Sequence, residues 1–170
     1  MHKFLPALFT AFVVLPASAQ PAIDLPALIE CRADPQDWGQ LAFSLMGDPS
    51  SIEALGWAVV ASQNPFLQEY ALTDDLSVFG HTTRSIALTS TGPMAIFDRI
   101  APEDLATALG VTTTPASPGQ FLGEKVIADA TDENNGMKIR TRVALNVSTV
   151  ESHPGKVLAG CSYLIEMVDG

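Results

Sequence analysis

The chain has 170 residues, with 19 acidic against 9 basic side chains for a net charge of −10 at neutral pH, and 47% of its residues are apolar. That apolar share can fill a core in a chain of one-domain length, while the acidic balance repels nucleic-acid phosphates and anionic lipid headgroups and argues against nucleic acid as a partner. Two cysteines without C-x-x-C spacing, three scattered histidines and no H-E-x-x-H leave no basis in the sequence for a metal site or a cofactor.

The first residues carry the parts of an export signal in order: a basic start at His2 and Lys3, an apolar run over residues 4–15, and Ala17-Ser18-Ala19 as a small-residue cut site. The run contains Pro6 and is shorter than the roughly twenty residues of a bilayer span. Gln20 rather than a cysteine follows the cut, so no lipid anchor is expected. The expectation is removal of residues 1–19 and one globular domain over residues 20–170, periplasmic or secreted, with no membrane insertion after cleavage. In such an oxidising compartment Cys31 and Cys161 should form a single disulfide.

Asp24-Leu25-Pro26 opens a short helix with Leu25, Leu28 and Ile29 on one face. Asp34 as a cap, Pro35 in the first helical position and Asp37 in the first turn start a second helix, whose Trp38, Leu41, Ala42 and Leu45 make an apolar stripe that Gly47 can end. Asp48-Pro49 repeats the start signal for a brief helix through Leu55. Residues 57–61 are apolar throughout, and periodicity leaves helix and strand both open there.

Short β-rich runs follow over residues 66–72, 77–90 and 94–97, with Thr73-Asp74-Asp75 and Thr91-Gly92-Pro93 as the expected breaks. Pro102, Glu103 and Asp104 begin a helix with Leu105 and Leu109 on one face and Gly110 after it. The stretch 112–119 reads as a surface loop with a possible strand edge at its threonines. Asn135-Gly136 is the favoured centre of a two-residue hairpin turn. Folding there sets Val126 opposite Leu145, Ala128 opposite Val143 and Ala130 opposite Thr141, and on the other face Glu133 opposite Lys138 and Asp129 opposite Arg142. A turn at His153-Pro154-Gly155-Lys156 returns the chain into a last strand with Val157, Ala159, Cys161, Tyr163, Ile165 and Met167 on one side. The expected class is α+β: a mainly antiparallel sheet with N-terminal helices and one inserted helix packed on it, closed by one disulfide.

Few residues offer chemistry. His81 beside Asp74 or Asp75 is the nearest acid–base pairing, supporting a small hydrolase-type enzyme as an alternative. No G-x-S-x-G turn presents a serine nucleophile. Lys138, Arg140 and Arg142 concentrate basic charge on one strand face and are the candidate docking strip for an anionic ligand or an unidentified protein partner, with Arg140 expected to lack an acidic neighbour. The competing reading of the strip is cross-strand pairing with Glu133 and Asp129. The leading functional expectation is a non-catalytic binding, inhibitory or accessory module. A structural component of the envelope is a further alternative.

Overall fold

The computed structural model describes residues 23–170 except 48, 115–116, 135 and 169–170, and leaves the side chains of residues 47, 49 and 134 undescribed. The expected export signal and its cut, the Asp48 cap and the Asn135 turn position therefore lie outside the described residues. Among the described residues three helices come first, α1 (Leu25–Ile29), α2 (Pro35–Gly47) and α3 (Pro49–Ala54), and the first two begin where the capping chemistry places them. Asp24 accepts from the Ala27 amide at 2.9 Å, and Asp34 accepts from the Gln36 amide at 2.8 Å while Asp37 accepts from the Asp34 amide at 3.0 Å.

The ambiguous apolar stretch becomes strand β1 (Trp57–Val60), followed by β2 (Gln68–Val78), β3 (His81–Leu88) and β4 (Pro93–Asp98). Helix α4 (Pro102–Leu109) leads to β5 (Thr112–Thr113), β6 (Leu122–Asn134), β7 (Met137–Ser148) and β8 (Lys156–Val168). All eight strands join one antiparallel sheet in the order β1-β2-β3-β4-β8-β7-β6-β5. Two up-and-down meanders thus meet where β4 pairs with β8. Among the described residues no helix is long and apolar enough to cross a membrane.

Across the middle of the sheet the laddered residues Tyr70, Ile86, Ala95, Ala159, Val147 and Gly123 form one row on one face, and every one is buried. The helices bury Leu28, Ile29, Trp38, Leu41 and Leu105 in the same cluster. Each large side chain withdrawn from water there is worth about 1.5–3 kcal/mol before entropy is subtracted. The disulfide Cys31–Cys161 ties the turn after α1 to β8 across 130 residues, and the Tyr163 hydroxyl donates to the Leu28 carbonyl at 2.8 Å beside it. On the opposite face Ala87, Ile96 and Leu158 form a smaller buried cluster with Leu67, Met94 and Val150.

Three expectations fail locally. Thr73-Asp74-Asp75 does not break the chain into separate strands: β2 runs through it with a bulge, its register passing from Ala71↔Ser85 to Leu76↔Thr83. The hairpin turn lies instead at Phe79 (φ 55°) and Gly80 (φ 75°), inside the stretch read as one run. Glu30 at the end of α1 secures that turn by accepting from the Phe79 amide at 2.8 Å. In the second hairpin the expected pairs Ala128↔Val143, Ala130↔Thr141, Asp129↔Arg142 and Glu133↔Lys138 form. A bulge between Val126 and Ala128 then shifts the register by one, so Val126 faces Ala144 rather than Leu145.

Candidate functional site

Strand β4 pairs with β8 only from Lys156 to Gly160, and β5 pairs with β6 only at Gly123 and Glu124. Beyond those contacts β6, β7 and β8 continue as a three-stranded ribbon. Strand alternation gives it two unlike faces.

One face carries the basic strip and its partners. Arg140, expected to be free, is the most engaged: it donates to both carboxylate oxygens of Asp129, at 2.8 and 2.7 Å, and reaches Glu166 at 3.4 Å. Arg142 grips Glu124 with two hydrogen bonds and lies 3.8 Å from Asp129. Lys138 faces Glu133 in the ladder without forming an ion pair. The engagement of Arg140 has a geometric cause. A long guanidinium reaches the diagonal neighbour across a ladder, so Arg140 takes the carboxylate expected to serve Arg142. Hydrogen bonding from Arg142 holds the Glu124 carboxyl below its ordinary range, and Arg140 does the same to Asp129. Three cations face the four carboxylates of Glu124, Asp129, Glu133 and Glu166, so the strip presents no net positive field to an anion.

The other face continues the row of core residues outward, and none of the described helices lies over it. Ile139 pairs with Met167 and Thr141 with Ile165. Ile165 is 57% exposed, Met167 80% and Met137 53%. These are the outer residues of the alternating pattern in β8 and β7, so the expected one-sided apolar face exists and outruns the core.

Other chemistry-bearing residues fall elsewhere. His81 packs edge-on against Phe97, 5.7 Å between ring centres, while Asp75 pairs with Arg84. The structure therefore does not gather His81, Asp74 and Asp75 into one hydrogen-bonded group among the described residues. His153 does acquire partners that sequence reasoning missed. Its ring is 6% exposed, Nε2 sits 3.1 Å from Glu69 Oε2 (side chain 14% exposed), and Nδ1 is 2.9 Å from Ser152 Oγ. Asn64 donates to that hydroxyl at 3.4 Å.

With Nε2 donating to Glu69 and Nδ1 accepting from Ser152, the three side chains have the connectivity of a proton relay. His153 also lines a cleft of about 390 Å³ beside Gln120, Thr149 and Lys156. The same contacts clasp the β7–β8 loop over the small cluster on the sheet's second face. No local signal could reveal them, because Glu69 lies in β2 and His153 in the turn before β8, 84 residues apart in sequence.

A shallower cleft of about 330 Å³ lies between β8 and β7 near Thr91, Asn146, Ser148, Ser162 and Arg142. Asn146, which begins a glycosylation-type triplet, is held within the sheet by donating to Ala144 O and Ser162 Oγ, each at 3.0 Å. Among the described residues no cluster of three or more histidine, cysteine or carboxylate side chains is arranged to hold a metal ion. The chain matches no protein-family model, no curated protein and no solved structure.

Proposed function

We propose that this protein is an exported, non-catalytic binding or accessory module of the periplasm or secreted fraction, and that the ribbon formed by β6, β7 and β8 is its binding surface. The observation that carries the reading is the uncovered apolar face at Ile165, Met167 and Met137. Isolated exposed apolar residues are ordinary, but neighbours on one sheet face form a patch, and patches mark interaction surfaces. The disulfide accords with an oxidising compartment. The strip Lys138, Arg140 and Arg142 serves in this reading to stiffen the ribbon, since its arginines already hold carboxylates. An anionic ligand would have to use the guanidinium donors left over.

The test is affinity capture from the native exported fraction with two double variants. Ile165→Ser with Met167→Ser should lose the captured partner, and Phe43→Ser with Met46→Ser, exposed on α2, should retain it. Equal capture by both overturns the reading. The hydrogen-bonded group Ser152, His153 and Glu69 favours a hydrolase-type enzyme as the second reading, with these residues in place of His81 and Asp74 or Asp75. Ester hydrolysis lost on Ser152→Ala in a fully folded variant would establish it. The envelope structural alternative requires stable self-association, read by sedimentation.

A further inference from the structure

Strand β5 covers only the first residues of β6, so among the described residues 126–134 have β7 on one side and no strand on the other. All the described side chains from 125 to 133 are exposed. Along such an edge every second amide and carbonyl points into solvent, a template for one more strand. We propose that this edge accepts an extended segment of a partner protein as an added strand. That segment lays apolar side chains over Ala128 and Ala130 on one face and carries lysine or arginine beside Glu133 on the other. The inference rests on the ribbon being the binding surface and specifies what it binds.

Charge selects the occupant. Asp129 is neutralised by Arg140, but among the described residues neither Asp132 nor Glu133 has an ion-pair partner. Residues 126–134 contain three acids and no base. A second copy of the chain pairing edge to edge would bring the unpaired carboxylates of both copies into one short ladder, where like charges destabilise. A cationic segment reverses the sign of that term. The bulge at Val126–Ala128 and the acids also discourage indiscriminate pairing, as natural edges do. Main-chain hydrogen bonds would supply affinity and the alternating side chains specificity.

The probe is a fluorescein-labelled ten-residue peptide alternating valine and lysine, followed by fluorescence anisotropy against the full exported protein. Controls are a valine–glutamate peptide and the valine–lysine peptide N-methylated at every peptide bond, which keeps the charge but removes the amide donors. Expected are a loss of at least tenfold in affinity on N-methylation and a similar loss for the Asp132→Lys, Glu133→Lys double variant, with a cooperative melting curve showing that the variant is folded. Slowed hydrogen exchange at 126–134 should accompany binding.

Equal binding of the N-methylated peptide, no binding of the parent peptide, or protection at 164–168 on the β8 edge instead would each overturn the proposal. If the peptide fails while Ile165→Ser with Met167→Ser still loses its captured partner, the edge proposal falls and the ribbon reading stands. If the peptide binds as expected while that variant keeps every partner, the ribbon's apolar face is wrong and the edge is right.

Discussion

Tyr163 shows how much a single buried polar group can decide. Its hydroxyl supplies the partner of the Leu28 carbonyl at the end of α1, and burial, reinforced by the charges of Asp37 and Asp34, pushes the phenol up to about 12 from 10.0. The folded state holds that proton more tightly than the unfolded state. Its contribution is therefore complete below about pH 10 and is lost as pH rises toward 12. Tyr163→Phe should cost about 1–3 kcal/mol at pH 7, because the carbonyl is left buried without a donor. It should also remove the part of alkaline unfolding that lies in that window, which urea midpoints measured from pH 8 to about 12 would reveal. His153→Ala should cost a similar amount, about 1–3 kcal/mol, by leaving Glu69 without its hydrogen-bond donor. Hydrogen exchange should then accelerate in residues 149–155 while the central strands stay protected. His153 and Tyr163 both sit in readable strand or turn patterns, yet their partners 84 and 135 residues away are invisible to any local pattern.

Among the elements, the junction of β4 with β8 depends on two glycines. A Cβ on Gly160 would overlap the Pro93 carbonyl oxygen and lie 2.7 Å from Met94 Cα, and one on Gly92 would overlap the Cys161 carbonyl oxygen. The obstructing atoms are backbone and cannot swing away, so the two meanders must move apart to admit a methyl group. Gly160→Ala should therefore destabilise by about 1–3 kcal/mol or more, the range for overpacking a closed site, whereas Gly119→Ala, with open space around it, should show only the cost of its positive φ. Thermal melts of the pair compare the two effects. At this scale the caps and the hairpin signals were legible, since Asp24, Asp34 and Gly136 act within a few residues of themselves. The Phe79-Gly80 turn was not, because phenylalanine at a positive-φ position gives no turn signal. The β2 and β6 bulges were hidden for a related reason: alternation describes a strand but does not count the residues its neighbour needs.

For the molecule as a whole, the disulfide is the longest covalent constraint, closing a separation of 130 residues. The loop-entropy model assigns about 4–5 kcal/mol to a closure of this size. Cys31→Ser with Cys161→Ser should lower the denaturant midpoint accordingly, with a smaller loss indicating a compact unfolded state. If the export reading holds, intact mass of the secreted protein should begin at Gln20, and alkylation without reductant should label no cysteine.

The residues themselves determined the helix starts, the eventual partnership of two cysteines, the second hairpin's register near its turn and the one-sided apolar pattern of β8. All of these follow from local conformational preference or from the small number of candidates. Tertiary structure alone decided that Arg140 is engaged rather than free, that His153 meets Glu69, and that the apolar face outruns its helices. Those outcomes depend on strand order, on diagonal reach across ladders and on where the packing helices stop, and these quantities arise only when distant segments share one sheet.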